Sequence, residues 1–119
     1  MNAAVELFEK ITAYPNYNIY VAVTGNKTVG TFELLIMDNL AHICSPSAIV
    51  EDVVVKTAFR GKGIGKKMME FAIEESRKSG CYKMVLSSSL SRERAQRFYE
   101  SLGFKKHGFS FQINLQNPV

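Results

Sequence analysis

The sequence predicts an α/β fold: a single mixed sheet with helices on both faces. Three observations carry that expectation. Apolar residues recur at helical spacing in three separate stretches, and runs with strand character lie between them. A glycine-rich turn, Arg60-Gly61-Lys62-Gly63-Ile64-Gly65-Lys66, joins the most apolar run to the longest helical stretch. At 119 residues the chain is expected to be one domain over residues 1–119, with no repeat and no linker.

Taken in order, Ala4, Leu7, Phe8 and Ile11 form one helical face over residues 2–14, which Pro15 closes. Ile19, Val21 and Val23 alternate through Tyr17–Thr24, and the Gly25-Asn26 turn leads into a second extended run, Thr28–Met37, which makes a hairpin. Asp38–Pro46 is polar and irregular, a loop placed to line a substrate pocket. Ala48–Val55 is apolar apart from Glu51 and Asp52, as in a central strand covered on both faces. Strand alternation would send those two carboxylates to opposite faces, so that only one can reach a pocket.

Beyond the glycine turn, Ile64, Met68, Phe71 and Ala72 form a helical stripe widened by Met69 and Ile73, and Gly80 ends it. Tyr82–Ser87 reads as a short strand, and Ser91 as the N-cap of a helix whose face holds Ala95, Phe98, Tyr99 and Leu102. Phe109, Phe111, Ile113 and Leu115 alternate with polar residues, the pattern of a half-buried last strand. Two strand–helix–strand units predict parallel neighbours, and the hairpin and last strand an antiparallel remainder.

Composition narrows the function. No apolar run approaches the roughly 18 residues of a membrane span, and the N-terminus lacks a signal-peptide pattern, so a cytoplasmic protein with no membrane partner is expected. The formal charge of +4 is scattered rather than gathered into a basic stripe, which argues against nucleic acid and fits a phosphorylated ligand. Cys44 and Cys81 are far apart with no paired histidine near them; reduced thiols and no metal are expected. His42 and His107 titrate near neutrality but belong to no motif.

A strand feeding a glycine turn that opens a helix lets backbone N–H groups converge on an anion. The turn has neither the P-loop spacing nor G-x-G-x-x-G, and taken alone it is either such a cradle or a tight turn. Glu51 is either a base or a structural carboxylate. Tyr99 is either an acid or part of its helix's apolar face.

The full pattern Arg60-x-x-Gly63-x-Gly65 resembles the acetyl-CoA diphosphate loop of the GNAT family of N-acetyltransferases. The resemblance extends upstream to Glu51-Asp52-Val53-Val54-Val55 and downstream to Ala95-x-x-Phe98-Tyr99-x-x-x-Gly103-Phe104, covering residues from about 48 to 115. It implies acetyl-CoA as co-substrate, with Arg60, Gly61, Lys62, Gly63, Ile64, Gly65 and Lys66 around the diphosphate. Val53, Val54 and Val55 would pair with the pantetheine arm, a main-chain N–H there, that of Val53, polarising the thioester carbonyl. Tyr99 would be the general acid and Glu51 the general base in direct transfer to a primary amine of a small molecule. A protein or peptide acetyltransferase and a catalytically weak acyl-CoA-binding regulatory module are the alternatives.

Against the family pattern a first strand and helix are expected to be missing, which would leave an open sheet edge beside Tyr17–Thr24 for a homodimer to cover. Arg92 stands where many relatives have Asn. Ile49–Val55 and Gly80-Cys81-Tyr82-Lys83 are similar to glucosamine-phosphate acetyltransferases, yet Ser87-Ser88-Ser89 replaces their acidic residue, so the same sugar is not expected.

Overall fold

The computed structural model describes residues 3–88 and 92–116. The chain divides into two compact units, residues 1–86 and 87–119, each described on its own. The first holds helix α1 (Ala3–Ala13), strands β1 (Tyr17–Thr24) and β2 (Lys27–Met37), a short turn α2 (Ala41–Cys44), β3 (Ser47–Val55), helix α3 (Ile64–Lys78) and β4 (Met84–Val85). The second holds α4 (Glu93–Ser101).

The sheet order is β1-β2-β3-β4. The first two pairings are antiparallel, and β3 and β4 run parallel with α3 between them in the chain. Gly25, at φ 61°, turns the hairpin within the two residues between Thr24 and its partner Lys27. On β2 the even-numbered residues Phe32 and Leu34 are buried together with Ala48 and Val50 of β3 and Met68, Met69 and Ala72 of α3. Each large side chain so buried stabilises the fold by about 1.5–3 kcal/mol. Tyr20 stacks on Phe32 with ring centroids 5.2 Å apart and meets Phe71 edge-on at 5.0 Å. The odd-numbered face of β2, with Thr31, Glu33 and Leu35, is left for the site.

Three sequence expectations change. The strand expected over Tyr82–Ser87 shrinks to Met84–Val85, because only Ala48 and Ile49 of β3 offer it a register. Ser91, the expected N-cap, lies outside the described residues, and Arg92 occupies the cap position of α4 without a side-chain bond. The expected last strand is absent among the described residues. Phe109, Phe111, Ile113 and Leu115 are 79–93% exposed, because alternation marks a face to be covered and does not itself supply a backbone partner.

α3 packs tightly over Gly30, where a Cβ would lie 2.7 Å from Met68 Sδ and 3.1 Å from the Val54 carbonyl oxygen. Gly30→Ala is expected to destabilise the protein by about 1–3 kcal/mol through overpacking. Urea titration checks this, and an unchanged midpoint would mean that α3 shifts freely on the sheet.

Candidate functional site

β3 is regular until Val50 and then gains a residue. Glu33 of β2 pairs with Glu51, but Thr31, two residues earlier, pairs with Val54, three residues later. The extra residue forms a β-bulge, and Asp52 sits in it at φ 52°, a left-handed conformation that Asp tolerates better than most. This corrects the expectation that Glu51 and Asp52 point to opposite faces. The bulge cancels one step of alternation, and both carboxylates act on the same neighbours, Glu33 and Tyr17. It also corrects the picture of β3 as a strand covered on both faces, since Glu51, Asp52 and Val54 are exposed. β4 pairs only with Ala48 and Ile49, so beyond them the β3 edge away from β2, including Val53–Val55, has no strand partner among the described residues.

On the face opposite α3, Tyr17, Glu33, Leu35, Ile49 and Glu51 line a cleft of about 170 Å³. The Tyr17 hydroxyl donates to Glu33 Oε2 at 3.2 Å. Burial pushes the Glu33 carboxyl above the usual range, aided by a hydrogen bond to Asp52 and the charges of Asp52 and Glu51, with the Tyr17 bond opposing. Burial likewise raises the Tyr17 phenol, and Glu33 beside it adds to the rise. Sequence reasoning missed Glu33. Its only signal was a carboxylate between Phe32 and Leu34, and the cross-strand register that places it opposite Glu51 cannot be read along the chain.

The glycine turn lies past the other end of β3. Gly61 and Gly63 adopt φ 79° and 82°, and Gly63 is the N-cap of α3. A Cβ on either would meet nothing within 4 Å, so these glycines serve the left-handed backbone and leave the space over the turn open. The α3 ladder starts with Lys67 N–H donating to the Gly63 carbonyl at 3.1 Å, leaving the N–H groups of Ile64, Gly65 and Lys66 ahead of it. No acidic residue occupies the first turn of α3. Arg60 Nε donates to the Val55 carbonyl at 3.0 Å, tying the turn to the end of β3, and Lys62 Nζ lies 5.2 Å from the centre of the Phe59 ring. Open space, unsatisfied N–H groups and the Arg60, Lys62 and Lys66 cations are a donor set that fits a diphosphate.

The expected substrate loop contains a left-handed turn, with His42, Ile43 and Cys44 at φ 47°, 57° and 59°. His42 stacks on Tyr82 at 3.9 Å. Tyr99 lies on α4, half-buried beside Phe98 and edge-on to Phe104, with centroids 5.3 and 5.9 Å away. Burial raises its phenol pKa, partly offset by Arg92, so it stays protonated at neutral pH. The structure thus gathers Glu51, Val53–Val55 and residues 60–66 in the first unit, with Tyr99 in the second. Among the described residues no cluster of His, Cys, Asp and Glu has the arrangement to hold a metal ion, and no helix is long and apolar enough to cross a membrane.

Comparison with known proteins agrees with this fold. The model of the acetyltransferase (GNAT) family matches residues 2–104. Glucosamine 6-phosphate N-acetyltransferase of Arabidopsis thaliana is 33% identical over 81% of this chain and 64% of its own length. The crystal structure of that enzyme superposes with a TM-score of 0.82, at 30% identity over 94% of this chain and 75% of the other. Aminoalkylphosphonate N-acetyltransferase of Salmonella typhimurium is 31% identical over 82% of this chain and 62% of its own length. A transcriptional regulator from Bacillus halodurans superposes with a TM-score of 0.89, at 32% identity over 93% of this chain and 74% of the other. The chain spans less than two thirds of the two curated relatives.

The bulge is open to test by substitution at its left-handed residue. Asp52→Asn, which tolerates that conformation, is expected to change stability by less than about 0.5 kcal/mol, whereas Asp52→Val costs about 1–2 kcal/mol. Equal losses on chemical denaturation would show that the left-handed residue does not hold the bulge.

Proposed function

The chain belongs to the acetyltransferase (GNAT) family, and on that premise we propose that it is an acetyl-CoA-dependent N-acetyltransferase acting on a primary amine of a small molecule. The observation that carries the reading is the pairing of a bare β3 edge with an open glycine turn at its end. Acetyl-CoA supplies the activated acetyl thioester. The N–H groups at the start of α3, with Arg60, Lys62 and Lys66, hold its diphosphate, and Val53–Val55 pair with its arm through backbone groups. The Val53 N–H donates to the thioester carbonyl oxygen, where charge develops. The Glu51 carboxylate takes a proton from the acceptor ammonium, the amine attacks the thioester carbon directly, the C–S bond breaks as the Tyr99 phenol protonates the departing thiolate, and the proton that nitrogen sheds as the amide forms restores the phenol.

The names of two relatives support a small acceptor. Glucosamine 6-phosphate and an aminoalkylphosphonate each combine an amine with a phosphorus oxyanion, a combination that suits a chain of net charge +4. A second reading, an acyl-CoA-binding regulatory module, draws on the likeness to the Bacillus halodurans regulator. A homodimer is also proposed. β1 is a sheet edge with Val21 and Val23 exposed, and the apolar residues of 109–115 are uncovered. Light scattering at micromolar concentration is expected to give twice the chain mass, and a monomer at all concentrations would refute the dimer.

Saturating acetyl-CoA, at about a hundred times Kd, is expected to add about 2.7 kcal/mol of stability, which raises Tm by on the order of 10 °C. No shift would refute both coenzyme readings. Tyr99→Phe is expected to lower kcat by about 10²-fold or more while sparing acetyl-CoA binding. Unchanged turnover would remove Tyr99 from the acid role, and binding without transfer to any amine in a thiol-release screen would favour the regulatory module.

A further inference from the structure

Glu33 and Glu51 stand directly opposite each other in the β2–β3 register. Like charges so placed destabilise a sheet unless something answers them. Among the described residues no lysine, arginine or histidine forms an ion pair with either. Tyr17, Leu35 and Ile49 make the neighbouring cross-strand row, and the two rows together line the cleft of about 170 Å³. Tyr17 donates to Glu33 Oε2 at 3.2 Å, which anchors that carboxyl and leaves its other oxygen able to accept a donor. We propose that Glu33 is a specificity-determining residue: with Glu51 it receives the acceptor's ammonium group beside Leu35 and Ile49, so that the cleft takes a primary alkylammonium carrying no negative charge near its nitrogen. The inference deepens the proposed function and rests on the reading of Glu51 as the base.

An ammonium group has three N–H donors, enough for both carboxylates with one to spare. When Glu51 takes its proton, that N–H bond breaks and the electron pair stays on nitrogen for the attack. Glu33 still accepts from a remaining N–H and keeps the amine in place. A cation held here also offsets the burial and the neighbouring carboxylates that act on Glu33. Since a cavity of about 150 Å³ admits benzene, the cleft has room for about six non-hydrogen atoms. An oxyanion one or two bonds from the nitrogen would fall inside it and face both carboxylates, whereas one carried further along the acceptor would lie outside.

Two ligands of matched shape test this. Neopentylamine and aminomethylphosphonate have the same number of non-hydrogen atoms and differ in carrying a tert-butyl or a phosphonate group. Titrated into the full chain at neutral pH, neopentylammonium is expected to move the methyl NMR resonances of Leu35 and Ile49 saturably, and aminomethylphosphonate to bind about tenfold more weakly or worse. Glu33→Gln is expected to weaken neopentylammonium binding by about 10- to 100-fold and to narrow the gap between the two ligands, while the Kd of acetyl-CoA moves less than about twofold. Aminomethylphosphonate binding as tightly as neopentylammonium overturns the proposal, as does a failure of either ligand to move those methyls. So does a loss in Glu33→Gln by one factor for both ligands, which is a structural defect only. Should that variant not fold, the two ligands on the unaltered chain decide by themselves. A chain that acetylates no amine defeats the proposed enzyme, and the methyl titration, which needs no turnover, still decides what the cleft selects.

Discussion

One extra residue in β3 governs the site. β3 has to pair with β2 along most of its length, because Ala48 and Val50 complete the core under α3. It pairs with β4 only at Ala48 and Ile49. The bulge at Asp52 reconciles β3 with β2 beyond that point: Val54 and Val55 still find Thr31 and Gly30, one step out of the earlier register. The same step turns the second carboxylate toward Glu33. A regular strand would keep the pairing but send Asp52 to the face that α3 occupies, where an unpaired charge is expensive.

The charge distribution follows from this geometry rather than from composition. The chain carries a formal charge of +4, yet Glu33 and Glu51 line the cleft beside β3, with Asp52 near enough to act on Glu33. The cations Arg60, Lys62 and Lys66 belong to the turn at the far end of the strand. One strand therefore separates a region suited to an ammonium group from one suited to an anion. Arg60 contributes twice. Its Nε holds the Val55 carbonyl, which fixes the turn to β3, and its remaining guanidinium N–H groups stay available.

Much of the first unit was legible in the sequence because its signals are local. The hairpin followed from alternation and Gly25-Asn26, and α3 from the Met68, Met69 and Ala72 stripe. The glycine turn was legible because left-handed backbone at Gly61 and Gly63 demands glycine whatever surrounds it. What failed depended on partners. The alternation at Phe109–Leu115 asked for a neighbour that the described residues do not provide. Asp52 followed the period-2 rule only until cross-strand register added a residue. Glu33 stayed hidden because the groups that act on it, Tyr17 on one side strand and Asp52 on the other, are not adjacent to it in sequence. The left-handed turn at His42–Cys44 had no glycine or asparagine to announce it.

The strand also fixes the reach of the site. From Glu51 to Val55 it advances four residues, and with one spent in the bulge the span is about 10–13 Å. In the proposed reading, a ligand with its anion on the N–H groups of α3 and its carbonyl beside Val53 runs along the last residues of that span, where the backbone edge is bare. A bare nucleotide or a free phosphate would fill the turn and leave the edge unused. An acyl group on a short carrier would reach the edge and leave the turn empty. On the proposed reading, the bare edge beside the turn favours an extended carrier more strongly than the glycine turn does by itself, since the turn alone is compatible with any phosphate.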